Sequence, residues 1–222
     1  MSVFSYGLEY SITPDNTAVL CSVGSCTNQH IIVPETVDGS VPVVAVADKA
    51  FFRCRRLKSI TLPASVTHIG NSSFAWCQNL KSVEIMGAVE IGDRAFMGCN
   101  VLKNVFLPET LVEIGEKSFA YCPEITELYL PKELERIGVS AFEGCRSLSS
   151  VALPRTLRMI ENGVFYACSS LTNLNVPQEL EYIDEYAFAY CISLHDFVLP
   201  KHTVVNNDAF YECGIYHLSK IS

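Results

Sequence analysis

The sequence predicts a single β-rich domain of the α/β class, a solenoid of stacked repeats with a parallel sheet along its concave side. Three observations predict it. Cysteines recur at a fixed interval, phenylalanines recur at the same interval, and short segments in which apolar and polar residues alternate lie between successive Phe and Cys positions. The last eight of the 10 cysteines are spaced 22 or 23 residues apart, at Cys54, Cys77, Cys99, Cys122, Cys145, Cys168, Cys191 and Cys213. A phenylalanine precedes each of them by three residues. A fixed period in the low twenties is typical of solenoids, in which neighbouring repeats stack to bury a shared core.

Each repeat follows the pattern L-x-x-I-x-L-P-x-x-L-x-x-I-G-x-x-A-F-x-x-C-x-x, as in residues 125–147. Ile60 and Leu62 alternate with polar neighbours, which predicts a strand with one buried face. Pro63 ends that strand, because proline cannot continue a parallel ladder. Two apolar positions three residues apart then predict a short return strand. The A-F-x-x-C segment places its apolar side chains one turn apart, which predicts a short helical or 3₁₀ turn.

The repeats divide residues 1–222 into four parts of one domain. These parts are an N-terminal hairpin cap at 1–30, a degenerate first repeat at 31–56, seven repeats of 22 or 23 residues at 57–214, and a partial strand at 215–222. Within the cap, strands at 8–12 and 18–22 flank a turn-forming Thr-Pro-Asp-Asn sequence and predict a hairpin. The partial strand would have an unpaired outer edge, which favours self-association or continuation into a longer array.

The repeat resembles the BspA-like leucine-rich repeats of bacterial surface proteins and large protozoan families. The resemblance depends on L-P-x-x-L-x-x-I-G-x-x-A-F-x-x-C, which recurs nearly intact in several repeats over about 180 residues. It implies a right-handed horseshoe with the parallel strands on the concave side, helical turns on the convex side, and a hairpin that caps the N-terminal end. It also implies adhesion at a cell surface, through binding of host or matrix proteins.

Composition excludes several classes of function. The chain has 24 acidic and 16 basic residues, a net charge of −8, which argues against a nucleic-acid partner. No apolar run approaches the length needed to cross a bilayer, so we expect no membrane insertion. The first residues lack the pattern of a signal peptide. The compartment is left open, since ten cysteines favour a reducing environment whereas the family resemblance favours surface exposure.

The cysteines are the first candidates for chemistry. No short C-x-x-C pair indicates zinc, and cysteines stacked at the strand spacing are too far apart for disulfides. We therefore expect buried, reduced thiols. Cys21 and Cys26 flank a short turn, and either a disulfide or two ordinary thiols fits there. Because no catalytic, phosphate-binding or dinucleotide motif occurs, we expect no enzymatic activity, no cofactor and no metal.

The concave face holds the candidate binding site. Phe106 and Tyr129 occupy equivalent outward positions in neighbouring repeats, among small polar residues. An exposed aromatic pair ringed by polar groups is typical of an interface hot spot, although β-propensity alone also favours aromatic residues on strands. The candidate binding residues are Glu84, Asn104, Phe106, Glu127, Tyr129 and Asn175.

A second candidate is the only dense basic run, which contains Arg53, Arg55, Arg56 and Lys58. It is either a solvated turn partly neutralised by the acidic residues before it or a patch for an anion or a partner. The sequence as a whole predicts a non-enzymatic module that binds a protein, with a glycan as an alternative ligand. The alternative function is a structural segment of a longer repeat array, or a chain that self-associates through its C-terminal edge.

Overall fold

The structure, a computed structural model, describes residues 2–215 and 217–221. Its regular elements are all β-strands, and the described residues form no helix. About eight coils stack along the chain, and each consists of a first strand, a second strand and a turn segment that contains the repeated phenylalanine. The sequence prediction of a β-solenoid with parallel sheets and short return strands is confirmed.

Strands are numbered in chain order and fall into three groups. The N-terminal strands are β1 (Ser2–Ser5), β2 (Leu8–Ile12) and β3 (Ala18–Ser22), with β5 (Thr36–Val37) added inside the first coil. The first strands of the coils are β4 (His30–Ile32), β7 (Ser59–Leu62), β9 (Ser82–Ile85), β11 (Asn104–Phe106), β13 (Glu127–Leu128), β15 (Ser150–Ala152), β17 (Asn173–Asn175), β19 (Asp196–Pro200) and β21 (His217–Ile221). The second strands are β6 (Val41–Val46), β8 (His68–Ile69), β10 (Glu90–Ile91), β12 (Glu113–Ile114), β14 (Arg136–Ile137), β16 (Met159–Ile160), β18 (Tyr182–Ile183) and β20 (Val204–Val205).

Neither strand column is one continuous sheet. The first strands pair in parallel as β4-β7-β9-β11, then as β13-β15-β17, then as β19-β21. The second strands pair in parallel from β6 to β14 and again from β16 to β20. Between the described residues of β11 and β13, of β17 and β19, and of β14 and β16, no ladder is formed.

The N-terminal strands pair differently from the coils. β2 and β3 form the antiparallel hairpin that the sequence predicts, with the same bounds. The sequence analysis missed β1, which adds antiparallel to β2. β3 then pairs in parallel with β6 and joins this unit to the second-strand column. That the hairpin acts as a cap stays a prediction.

The prediction of a helical or 3₁₀ turn around the repeated phenylalanine is wrong. In the second coil Ser72 and Trp76, which lie two residues either side of Phe74, have φ of 54° and 61°. The N–H groups of these three residues donate to carbonyls of the next coil at 2.7–2.8 Å, while the alternate N–H groups close turns onto carbonyls three residues back. A right-handed helix cannot contain two left-handed residues in one turn. The segment is a run of tight turns. Its hydrogen bonds to the next coil form a third column beside those of the first and second strands.

The third column, which we call the turn ladder, repeats at the junction between every two coils from Phe51 to Phe210. The phenylalanine rings inside it stack with centroids 5.0–5.7 Å apart. Each cysteine thiol from Cys77 to Cys191 donates to the carbonyl of the phenylalanine one coil earlier, with Sγ–O distances of 3.0–3.3 Å. The repeated Phe and Cys therefore fill one buried position per coil and link it to its neighbour.

The repeated glycine before the turn segment is explained by a close approach between coils. Gly115 does not have a left-handed φ, but a Cβ there would lie 2.7 Å from Asp93 Oδ1 and 2.8 Å from Asp93 N. The backbones come too close for a side chain, so glycine is needed for space. Glu161 takes the same position one coil after Gly138, and it follows the strand β16 at which the second-strand ladder is open.

Candidate interaction surface

The outward side chains of the first strands from β7 to β17, together with Tyr129, form a surface that we call the strand face. Its members are Ser59, Thr61, Ser82, Glu84, Asn104, Phe106, Glu127, Tyr129, Ser150, Ala152, Asn173 and Asn175. The residues between them point inward, and Ile60 and Val83 are fully buried. Parallel in-register pairing places Thr61 beside Glu84 and Glu84 beside Phe106. Period-2 alternation thus turns the repeat into rows of equivalent side chains.

The two aromatic candidates are among the most exposed large side chains of the described chain. Phe106 is 60% and Tyr129 80% exposed. The Tyr129 hydroxyl donates to Glu127 Oε2 at 3.1 Å, and this hydrogen bond raises the pKa of the tyrosine. Glu84 in turn accepts a hydrogen bond from Thr61 Oγ1 at 3.1 Å. The carboxylates therefore orient neighbouring hydroxyls and leave both aromatic rings facing outward.

The structure brings some of the predicted residues together and separates others. Asn104 and Phe106 lie on β11, in register with Ser82 and Glu84 of β9. Glu127 and Tyr129 belong to the next coil, where the first-strand ladder begins again without pairing to β11. Contact between the two aromatic rings therefore stays a prediction.

Two adjoining depressions run along the strand face on the C-terminal side of Tyr129. The smaller, of about 240 Å³, is lined by Glu127, Tyr129, Ser150 and Ala152 among others. The larger, of about 570 Å³, shares Ser150 and Ala152 and extends over Asn173, Asn175, Ser193 and His195. Asn175 thus lies two coils from Tyr129 but in an adjoining depression.

Sequence reasoning missed Ser150, Asn173 and His195 as parts of this site. Ser150 and Asn173 alternate outward like the other members of the strand face, but small polar side chains carry no chemical signature. His195 lines the larger depression, and its Nδ1 lies 2.9 Å from the Gly214 carbonyl oxygen. The signal that would have found Ser150 and Asn173 is the absence of bulk in consecutive repeats at the same outward position.

The basic candidates lie at a different part of the coil. Arg53 lies in the turn segment of the first coil, where its guanidinium lies 5.1 Å from the centroid of the Phe52 ring. Arg53 and Arg55 line a depression of about 350 Å³ together with Trp76 and Gln78. Arg56 is exposed and Lys58 half-buried. Whether these residues bind a partner stays a prediction.

The buried cysteines from Cys77 to Cys191 are poor candidates for chemistry. All ten cysteines are free thiols, and those from Cys77 to Cys191 are buried. Burial raises the pKa of Cys77 and of Cys145 to about 12 and raises that of Cys122 as well. A thiol that stays protonated at neutral pH is a poor nucleophile and a poor metal ligand. Their place in the structure is that of small, hydrogen-bonded core residues.

No helix of the described residues is long and apolar enough to cross a membrane. The stacked coils, the parallel strand columns and the outward polar rows define the class of protein as a leucine-rich repeat solenoid. Residues 24–134 and 112–221 both match the BspA-type leucine-rich repeat region. The chain therefore belongs to the BspA-type leucine-rich repeat family, which suggests a module for protein interaction and indicates no catalytic family.

Solved structures of bacterial proteins support the same fold. The T. pallidum leucine-rich repeat protein TpLRR is 31% identical with a TM-score of 0.81, over 88% of this chain and 92% of that one. A leucine-rich repeat protein from Bacteroides ovatus ATCC 8483 is 24% identical with a TM-score of 0.69, over 99% of this chain and 71% of that one. The second likeness concerns the fold alone. No curated protein matches this chain.

Proposed function

We propose that this chain is a non-enzymatic module that binds a protein partner through the strand face, with Phe106 and Tyr129 as its anchors. The observation that carries the proposal is their exposure, 60% and 80%, on a surface otherwise made of small polar side chains. Large aromatic side chains that lie exposed on a rigid scaffold are the usual centres of protein interfaces. Adhesin-like binding of host or matrix proteins is the form that the resemblance to bacterial surface proteins favours.

The surroundings of the aromatic pair suit an extended polypeptide. The depressions beside Tyr129 are lined by the hydroxyl of Ser150 and the amides of Asn173 and Asn175. Such groups hydrogen-bond to a peptide backbone while the rings contact apolar side chains. The same chemistry also fits a glycan, in which hydroxyl groups take the place of peptide groups, and a glycan is therefore the alternative ligand.

The spacing of the core rings supports a concave strand face. Phenylalanine centroids lie 5.0–5.7 Å apart along the array, whereas paired strands lie about 4.7–4.9 Å apart. An array whose ring column is longer than its strand column bends toward the strands. Concavity would let several coils contact one partner at once, as extended repeat surfaces do.

The test is binding of purified extracellular-matrix proteins and of a glycan array by the wild-type chain and two double variants. Phe106→Ala/Tyr129→Ala removes the anchors. Phe52→Ala/Tyr121→Ala removes one phenylalanine and one tyrosine from the turn segments, where they are 41% and 42% exposed. We expect the first variant to bind at least about tenfold more weakly, the loss typical of an aromatic hot spot, and the matched control to bind as the wild type does.

Equal losses in both variants, or no loss in either, would show that the strand face is not the site. Binding to glycans and to no protein would assign the face to a glycan. The alternative function as an assembly segment stays a prediction, and the proposed edge at 215–222 lies partly outside the described residues. Light scattering of the same samples addresses it, because an assembly segment would grow in mass with concentration.

A further inference from the structure

The exposed residues of the turn segments, which we call the turn face, carry a second aromatic cluster far along the chain from Phe106. Four tyrosines form it, and we call them the tyrosine patch: Tyr166, Tyr186, Tyr190 and Tyr211. They come from the last three coils. Tyr166 is half-buried, and the other three are 36–47% exposed.

The four rings contact one another edge to face. Centroids lie 5.3 Å apart between Tyr166 and Tyr190, 5.7 Å between Tyr190 and Tyr211, and 6.3 Å between Tyr186 and Tyr211. The interplanar angles are 70–87°. Nearly perpendicular rings hold each other in place and present both ring faces and ring edges at the surface.

Comparison with the equivalent positions of other coils shows that the fold does not require these tyrosines. Tyr190 has φ of 61°, and the same position holds Gly98 and Gly144 at φ of 71–72° in earlier coils. Left-handed backbone favours glycine and disfavours bulky aromatic residues. Alanine stands at the positions equivalent to Tyr211 in three other coils. The sequence thus places Tyr190 where a left-handed backbone favours glycine, and Tyr211 where other coils carry alanine.

The charge around the tyrosine patch has one sign. The turn segments at 161–169, 184–193 and 206–214 contain no lysine, arginine or histidine. Glu185 and Asp208 lie close enough to Tyr186 to raise its pKa. Among the described residues neither carboxylate, nor that of Glu212, is in an ion pair. The surface therefore combines exposed aromatic rings with unpaired negative charge.

We infer that the tyrosine patch is a second binding surface, which takes an extended polypeptide segment bearing arginine or lysine side chains. The ring faces of tyrosine attract cations, and the carboxylates of Glu185, Asp208 and Glu212 add Coulomb attraction without a competing positive charge. Planar guanidinium groups also stack on aromatic rings, so arginine is the better ligand of the two. The inference does not depend on the proposed function of the strand face.

The test is fluorescence anisotropy with a short dye-labelled peptide in which arginine alternates with glycine and serine. A second peptide replaces arginine by citrulline, which keeps the shape and removes the charge. We expect the wild-type chain to bind the arginine peptide and not the citrulline peptide. Binding should weaken as sodium chloride rises to about 0.5 M, because salt screens exposed charges.

Variants separate the rings from the charges. Tyr190→Gly/Tyr211→Ala installs residues that other coils carry at these positions, so the fold is retained, as circular dichroism and the thermal midpoint would show. We expect the Kd for the arginine peptide to rise at least about tenfold. Tyr121→Gly, at the position equivalent to Tyr190 in the fourth coil, should leave the Kd unchanged. Glu185→Gln/Asp208→Asn/Glu212→Gln should weaken binding and flatten its salt dependence.

Three outcomes would overturn the inference. Equal binding of the arginine and citrulline peptides would show that the positive charge of arginine does not contribute to binding. If Tyr190→Gly/Tyr211→Ala bound the arginine peptide with wild-type affinity, the binding would come from attraction by the net charge of −8 and not from the tyrosine rings. A dimer that is dissociated by Arg53→Glu/Arg55→Glu as well as by the tyrosine variant would assign the patch to a second copy of this chain.

Discussion

The turn ladder and the strand columns follow the same repeat, yet only the turn ladder is continuous. Its hydrogen bonds join every pair of neighbouring coils from Phe51 to Phe210, with a stacked ring at each step. Among the described residues the first-strand column is open between β11 and β13 and between β17 and β19, and the second-strand column between β14 and β16. The Phe and Cys side therefore links every coil to the next, while the strand side tolerates interruptions.

Alkaline pH should have the largest effect, because it lowers the stability that the buried thiols of the turn segments contribute. Burial raises the pKa of the ladder thiols, to about 12 for Cys77 and Cys145, above the ordinary value of 9.0. The unfolded chain loses these protons first, so stability is complete below about pH 9 and is lost as the pH rises toward the folded-state pKa. Each thiol contributes a slope of about 1.4 kcal/mol per pH unit. The urea midpoint should therefore begin to fall within about one pH unit of the unfolded-state pKa and fall more steeply as the pH rises further.

The control for the alkaline effect is Cys122→Ala/Cys145→Ala. It is less stable than the wild type at neutral pH, since two buried side chains are shortened, but its midpoint should fall less steeply with pH. A wild-type midpoint that is flat between neutral pH and about pH 10 would contradict the role of these thiols.

Phe119→Ala should have the next largest effect. The ring is fully buried between Phe96 and Phe142, with centroids 5.2 and 5.6 Å away. Loss of a buried phenylalanine costs about 3–5 kcal/mol of unfolding free energy. Phe106→Ala removes the same side chain from the exposed strand face, and we expect a change of less than about 0.5 kcal/mol. Urea denaturation compares the two, and similar losses would contradict the division between the two sides.

Gly115→Ala should lower stability by adding a side chain where two coils of the second-strand column approach closely. The added Cβ would lie 2.7–2.8 Å from atoms of Asp93 and Gly92, so the coils must separate. We expect a loss of about 1–3 kcal/mol, as for other overpacked sites. Glu161→Ala, at the equivalent position beyond the open ladder, should cost under about 1 kcal/mol. Hydrogen exchange of the residue 115 amide, which donates to Ile91 O at 2.8 Å, should accelerate in the alanine variant, and unchanged protection would contradict the steric argument.

Arg136→Ala should have the smallest effect. Its guanidinium forms ion pairs with Glu113 and with Glu161, the latter at 3.0 Å, and these contacts bridge three coils. The side chain is about half exposed, and exposed pairs contribute about 0–1 kcal/mol. Thermal unfolding at low and high salt measures it. A loss well beyond that range would mean that the open ladder between β14 and β16 depends on this arginine.

Sequence reasoning recovered the repeat, the buried residues and the strand bounds at 8–12 and 18–22, because burial on one face leaves a period that is visible in the chain. It failed at the turn segments. Ser72 and Trp76 are left-handed because their N–H groups bond to the next coil, and no local pattern of non-glycine residues reports that. It also placed Phe106 and Tyr129 on the exposed face but could not see the depressions beside them.

Three features can be read from the sequence alone: the chain is a stack of coils, one Phe and one Cys mark each coil, and alternate strand residues face outward. These features follow from periodicity, since each coil can bury its apolar side only against the next. Three other features required the folded coils. They are the columns that hydrogen-bond without interruption, the close approach that requires the repeated glycine, and the contact of Tyr166, Tyr186, Tyr190 and Tyr211 on one surface. Those features depend on distances between coils, and residues 20 or more apart in the chain reveal such distances only once they are stacked.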